Sequence, residues 1–281
     1  MKILVTGIHG QLGHDVMLEG QRRGYDMVGF DIDTMDITDD EAVNRIFSAE
    51  APDAVIHCAA YTAVDLAEKE REKCCAVNVD GTENVARASA RCGAKLIYVS
   101  TDYVYDGRGE EPHPVSEKKV PVNYYGLTKS QGEDRVTALC DRYFIVRTSW
   151  VFGQNGRNFV KTMLRLGKEK EQISVVSDQI GSPTYTPDLA RLLLDMAETE
   201  EYGVYHGTNS GFCSWYEFAS AIMKKAGLSC EVKPILTKDY PSAAVRPLNS
   251  RLDSGCLVEK GFRLLPPWED ALARFLEESR N

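Results

Sequence analysis

The sequence predicts a doubly wound α/β fold: a parallel sheet covered on both faces by helices, with a smaller C-terminal α/β lobe. Two observations carry this. Short, almost wholly apolar runs alternate with helical stretches through the first half of the 281 residues, which suits strands buried on both faces. A turn with three glycines stands directly after the first run, and open α/β sheets bind ligands at the carboxyl ends of their strands.

The apolar runs are residues 2–6, 27–31, 54–58, 95–100 and 143–147. Helical stretches with recognisable ends lie between them. Thr38-Asp39-Asp40-Glu41 reads as a capping box opening a helix to about residue 50, and Gly24 stands where a helix C-cap places glycine. After Arg147 the rhythm loosens. Helices are expected at 158–168 and 187–199, with a strand at 173–176 between them. Ser214-Trp215-Tyr216-Glu217 is a second capping box, for a helix to about residue 226. A last amphipathic helix spans 267–278, and residues 107–121, with their prolines and lysines, read as a surface loop. Residues 1–150 form the expected nucleotide-binding domain. Residues 151–281 form mainly a substrate lobe, with some segments returning to the first domain.

Composition narrows the function. With 33 basic and 42 acidic residues the net charge is −9, which repels a nucleic-acid backbone. No apolar run approaches the roughly 18 residues that span a bilayer. Eight cysteines are scattered without metal-ligand spacing, so reduced thiols and a cytoplasmic location are expected. The five histidines likewise lack ligand spacing, and no metal is expected; His9 alone can line the glycine turn.

That turn is Gly7-Ile8-His9-Gly10-Gln11-Leu12-Gly13. Glycines at this spacing permit a tight turn, close approach of a pyrophosphate to bare backbone and close helix–strand packing, with the phosphates on a helix N-terminus. Its position between a strand and a helix points to a Rossmann-type dinucleotide site. Asp31 ends the second run roughly twenty residues on, where an acid bonds the adenosine ribose hydroxyls. Its charge repels a 2′-phosphate, so NADH is expected to serve at least as well as NADPH. Asp36 and Ile37 are expected beside the adenine.

Tyr125 and Lys129 stand at i and i+4, on one face of a helix. A free phenol, with a pKa of about 10, is a poor acid or base at neutral pH, and a neighbouring ammonium would lower it. Ser100-Thr101-Asp102 ends a buried strand, where a hydroxyl can reach both the tyrosine and a substrate oxygen. Asn78 stands inside a helix at a cost in propensity, as a kink, a proton relay or a plain structural group.

Five further motifs carry a resemblance. Cys58-Ala59-Ala60-Tyr61-Thr62-Ala63-Val64-Asp65, Ser100-Thr101-Asp102-Tyr103-Val104-Tyr105-Asp106-Gly107, Tyr124-Tyr125-Gly126-Leu127-Thr128-Lys129, Arg147-Thr148-Ser149-Trp150-Val151 and Asp178-Gln179-Ile180-Gly181-Ser182-Pro183-Thr184 occur in order. With the C-terminal Arg246-Pro247 and Asn249-Ser250, the chain resembles the dTDP-4-dehydrorhamnose reductase family of extended short-chain dehydrogenase/reductases over essentially its whole length. The resemblance implies NADH or NADPH as cofactor and a dTDP-sugar as substrate. By position, Gly10, Gln11 and Leu12 would hold the pyrophosphate, and Ala60, Tyr61 and Thr62 the adenosine side and cofactor ribose. Tyr125 would protonate the sugar 4-oxygen as hydride reaches C4. Lys129 would lower the tyrosine's pKa and Thr101 would tune it. Asp102, Tyr103 and Trp150 would contact the sugar. Arg246 is either a fork of donors for the diphosphate or a surface cation.

Related dehydratases carry Thr-Asp-Glu where this chain has Tyr103, so dehydration is not expected. C4 epimerisation or reduction of another sugar nucleotide would use the same Tyr/Lys pair. The regulatory subunit of methionine adenosyltransferase is similar in fold and motifs, which keeps a binding role open. Some family members dimerise around a magnesium ion held by acids; here Pro187 stands where one acid is expected, so a homodimer, if formed, is expected without metal.

Overall fold

The computed structural model describes residues 1–279. The first half runs β1 (Lys2–Thr6), α1 (Gln11–Arg22), β2 (Asp26–Phe30), α2 (Asp40–Glu50), β3 (Ala54–His57), α3 (Val64–Ala67), α4 (Arg71–Cys75), α5 (Thr82–Cys92), β4 (Lys95–Thr101), α6 (Tyr124–Leu139) and β5 (Tyr143–Thr148). A π-helical turn, Ala76–Gly81, joins α4 to α5. The second half adds β6 (Val151–Phe152), α7 (Phe159–Glu169), β7 (Gln172–Val176), β8 (Ile180–Gly181), β9 (Thr184–Tyr185), α8 (Thr186–Ala197), β10 (Gly203–His206), β11 (Asn209–Ser210) and β12 (Cys213–Ser214). It closes with α9 (Trp215–Ala226), β13 (Glu231–Ile235), β14 (Asn249–Ser250), α10 (Gly255–Glu259), β15 (Leu265–Pro267) and α11 (Trp268–Glu278).

Six strands make one sheet in the order β10-β5-β4-β3-β1-β2, and all pair in parallel. The order reverses between β1 and β3, which opens a crevice beyond their carboxyl ends. Strand burial explains the unbroken apolar runs: β3 is buried throughout and β1 at four of five positions. One core lies between the sheet and α1 and α8, and includes Ile3, Val5, Val16 and Leu193. A second, on the opposite face, includes Leu4, Phe47, Val85 and Val136. Each such side chain contributes about 1.5–3 kcal/mol relative to exposure. A third core, around Phe152, Phe218 and Phe275, belongs to the C-terminal lobe. There β7 pairs with β13, and three further small sheets form: β6-β9, β12-β8-β14 and β11-β15.

Two local expectations change. The α2 cap is Asp39, whose carboxylate accepts from the amides of Glu41 and Ala42, one residue later than the box starting at Thr38. Residues 107–121 are not simply a surface loop. His113 is buried, stacks on Tyr105 at 4.7 Å and pairs with Leu252 in an isolated bridge. Gly107 is held so close to Pro247 that a Cβ would sit 2.1 Å from that ring. The Ser214 box forms as read, with Glu217 bonding back to the cap amide.

Asp188 of α8 ties that helix, which packs on the sheet, to α11 of the C-terminal lobe. It is buried and accepts a fork from Arg274 of α11 at 2.9 and 2.6 Å, with Arg191 at 3.0 Å and Asn209 at 2.8 Å. Removing it leaves the partly exposed Arg274 and Arg191 without their carboxylate and the Asn209 amide without an acceptor. Asp188→Ala is expected to lower unfolding free energy by about 1–2 kcal/mol, because solvent screens the arginines, read by urea denaturation; an unchanged midpoint would contradict this role.

Candidate active site

The crevice at the β1/β3 switch widens into a cleft of about 720 Å³, within the usual size of a cofactor site. Its floor is the glycine turn. Gly7 has φ +75°, and a Cβ on Gly13 would sit 2.2 Å from the Gly7 carbonyl oxygen. Only hydrogen fits there, so α1 packs directly onto the turn. The N-cap of α1 is Gly10, without a side-chain cap, and no acid occupies the first turn. The first amides of α1 are therefore available to an anion, and the helix dipole favours one.

Asp31 closes the adenosine end. Its Oδ2 accepts the His9 amide at 2.8 Å and its Oδ1 the Ile32 amide at 2.9 Å, which fixes the carboxylate beside the glycine turn. Asp36 and Ile37 line the same end, and Ala60, Tyr61 and Thr62 line the wall after β3. That wall is held by Asn78. Its Oδ1 accepts the Tyr61 amide at 2.8 Å, and its Nδ2 donates to the Tyr61 carbonyl at 3.1 Å and to Thr128 Oγ1 at 3.0 Å. The side chain acts as a strand partner for one residue, and the π turn, with its extra residue, aims it there.

At the other end, α6 lies against the turn after β4. Its cap Asn123 accepts the Gly126 amide at 2.8 Å. A Cβ on Gly126 would sit 2.1 Å from the Tyr103 carbonyl oxygen. That approach brings Tyr125 to Thr101, Asp102 and Tyr103, with the Tyr103 and Tyr125 rings edge to face at 5.6 Å. Burial pushes the Tyr125 phenol above its ordinary range, and the Thr101 hydroxyl opposes this. Lys129 is itself buried, and burial pulls it down to about 7. Its Nζ donates to the Val99 carbonyl at 2.8 Å and lies 4.0 Å from the Tyr98 ring centre. The expected direct lowering of the tyrosine by the lysine does not set the phenol's state; burial does, opposed by the Thr101 hydroxyl. Asp102 is also buried and pushed up to about 6; its Oδ2 has no partner.

Trp150 enters from the lobe side. Its φ of +49° is unusual for a bulky residue and costs on the order of 1–3 kcal/mol. The ring is clamped by stacking on Trp215 at 3.7 Å and by Gly181, where a Cβ would sit 2.8 Å from the indole.

Every residue assigned from the sequence to cofactor, substrate or catalysis lines this cleft except Arg246. That guanidinium is forked onto Asp65 at 3.0 and 2.7 Å and so stands beside the cleft, held by an ion pair.

The whole chain, residues 1–281, matches the family described as the RmlD substrate binding domain. A dTDP-4-dehydrorhamnose reductase of Aggregatibacter actinomycetemcomitans is 40% identical over 286 residues, 96% of this chain and 97% of that protein. The chain belongs to the RmlD, or dTDP-4-dehydrorhamnose reductase, family. The spore coat polysaccharide biosynthesis protein SpsK of Bacillus subtilis (strain 168) is also 40% identical, over 99% of this chain and 97% of its own. The crystal structure of a dTDP-4-dehydrorhamnose reductase from Bacillus anthracis str. Ames in complex with NADP superposes with a TM-score of 0.97 at 46% identity, covering 99% of both chains.

Within this RmlD-family cleft, sequence reasoning gave no role to Cys58, Lys73, Thr148 and Ser149, nor to the Trp215 clamp. Cys58, Thr148 and Ser149 stand within motifs already quoted. Lys73 and Trp215 carry no local signal, because only the packing of α4 and α9 brings them near. Gly13→Ala is expected to weaken cofactor binding at least about tenfold, since the glycine contact is part of the dinucleotide fingerprint. Fluorescence titration with NADPH checks this; wild-type affinity would show that the turn can relax.

Proposed function

We propose that the chain reduces the 4-keto group of dTDP-4-dehydro-6-deoxy-L-mannose to dTDP-L-rhamnose, with NADPH or NADH as reductant. The observation that carries this reading is Tyr125, Thr101 and Lys129 converging at one end of the cleft whose other end is the glycine turn and Asp31. A bound nicotinamide supplies the hydride for C4 of the sugar.

This chain's own groups supply the rest. The buried phenol of Tyr125 keeps its proton at neutral pH, which suits an acid that protonates the 4-oxygen. As that proton leaves, a phenolate forms, and the Lys129 ammonium stabilises it in a low-dielectric site. Lys129 also offers donors to the nicotinamide ribose. Thr101 hydrogen-bonds Asp102 Oδ1 at 3.0 Å and accepts the Tyr103 amide at 3.2 Å, which fixes its hydroxyl beside the phenol. Asp102, Tyr103 and Trp150 are assigned to the sugar, and residues 151–281 mainly to the sugar nucleotide. The first domain, residues 1–150, takes the cofactor. Arg246 can reach a diphosphate only by leaving Asp65.

The Bacillus anthracis relative carries NADP, which keeps NADPH beside NADH as reductant, while the Asp31 carboxylate repels a 2′-phosphate. A homodimer is the assembly the family resemblance suggests. Asp15 is buried and its carboxylate accepts the Thr186 hydroxyl. All eight cysteines are unpaired, and no helix among the described residues is long and apolar enough to cross a membrane; both agree with a cytoplasmic enzyme.

Purified protein is expected to oxidise NADPH or NADH, followed at 340 nm, when given the keto sugar nucleotide and no other protein. Tyr125→Phe is expected to lose at least about a hundredfold in kcat; a near-normal rate would mean the proton comes from elsewhere. Asp31→Ala is expected to raise kcat/KM for NADPH relative to NADH at least about tenfold, by removing the repulsion of the 2′-phosphate. An unchanged ratio would take Asp31 out of cofactor selection.

A further inference from the structure

Lys129 is 2% exposed; its Nζ donates to the Val99 carbonyl, and no carboxylate among the described residues is bonded to it. The titratable groups facing it come from four elements. His57 ends β3 and Cys58 follows it, Cys74 lies on α4, Tyr98 on β4, and Tyr125 and Glu133 on α6. Burial pulls His57 down to about 3 and pushes Cys58 to about 12; it also raises Cys74, Tyr98 and Tyr125. All of these are uncharged at neutral pH. Glu133 is different. Burial alone would raise it, but the Arg147 guanidinium holds it below the ordinary carboxylate range.

Glu133, one helical turn from Lys129, is 2% exposed. It accepts a fork from Arg147 of β5 at 2.9 and 2.7 Å and the Ser100 hydroxyl of β4 at 2.6 Å. Lys119 lies 3.4 Å away. Arg147 is held in turn by the Tyr105 hydroxyl at 2.6 Å, which meets His206 at 2.8 Å. A single buried carboxylate therefore stands among three cations: Lys119, Lys129 and Arg147.

We infer that Glu133 is a positioning residue for the proposed reaction: its buried carboxylate holds Lys129 in the charged form that the departing tyrosine proton requires. This rests on the function proposed above. In this arrangement the charge of Glu133 reaches Lys129 through a protein interior with little water to screen it.

The test is the pH profile of kcat at saturating cofactor and keto sugar nucleotide, for wild type, Glu133→Gln, Glu133→Asp and Lys119→Met, with folding checked by thermal melting. Loss of the carboxylate lowers the lysine's proton affinity. The high-pH limb is therefore expected to move down by about one pH unit in Glu133→Gln. Glu133→Asp keeps the charge, so its limb stays at the wild-type position even if the rate falls. Lys119→Met removes a cation, so its limb moves up by a few tenths of a unit on the scale of a partly screened charge. A Glu133→Gln profile that is lower in height but unmoved in pH overturns the inference. If that variant does not fold, Lys119→Met decides, and an unmoved limb there overturns it. Failure of the wild type to turn over at all would instead sink the proposed function.

Discussion

The site depends on one backbone contact, the approach of Gly13 to the Gly7 carbonyl. A Cβ at position 13 would sit 2.2 Å from that oxygen, so α1 can leave β1 at this angle only because both residues lack side chains. The contact aims the uncapped N-terminus of α1 over the β1/β3 crevice and sets Gly10, Gln11 and Leu12 along its floor. It also places the His9 amide where Asp31 can take it. A second close approach, Gly126 against the Tyr103 carbonyl, does the same at the far end and brings Tyr125 to Thr101. Two glycine contacts thus fix the two ends of the cleft. The parallel sheet keeps them on one edge.

Burial then decides the chemistry. Water would leave Tyr125 and Lys129 near their ordinary values, whereas the cleft pushes the phenol up and the ammonium down. A phenol that keeps its proton is an acid, which is what reduction of a ketone needs. A lysine brought down to about 7 is held at the edge of losing its charge, so its surroundings matter as much as its own identity. Spacing alone reads the i, i+4 pair as direct stabilisation of phenolate. The structure adds the desolvation that spacing cannot show.

Much of this was legible in the sequence where signals are local. The five first-half strands stand within a residue or so of their apolar runs, because parallel strands buried on both faces leave little ambiguity. Tyr125, Lys129, Thr101 and the glycine turn announce themselves by spacing and by position at strand ends. What failed to show was set by distant partners. The α2 cap moved to Asp39 because its side chain, not that of Thr38, meets the first free amides. Arg246 stood open between a diphosphate ligand and a surface cation, and Asp65, 181 positions away, which holds it, carries no local signal. His113 sits in a stretch rich in prolines and lysines but is buried by Tyr105 and Leu252. Asn78 was recognisable as an oddity inside a helix, and only its two hydrogen bonds to the Tyr61 backbone reveal a clamp. No pattern pointed to Trp215, which meets Trp150 through the fold of the lobe.

The central claim is that hydride passes from the nicotinamide to C4 of a keto sugar nucleotide in this cleft. Cofactor deuterated at nicotinamide C4, incubated with the protein and dTDP-4-dehydro-6-deoxy-L-mannose, tests it most directly when the product is examined by NMR. The expected product is dTDP-L-rhamnose with a single deuterium at sugar C4. Product without the label, or label at another carbon, would contradict it.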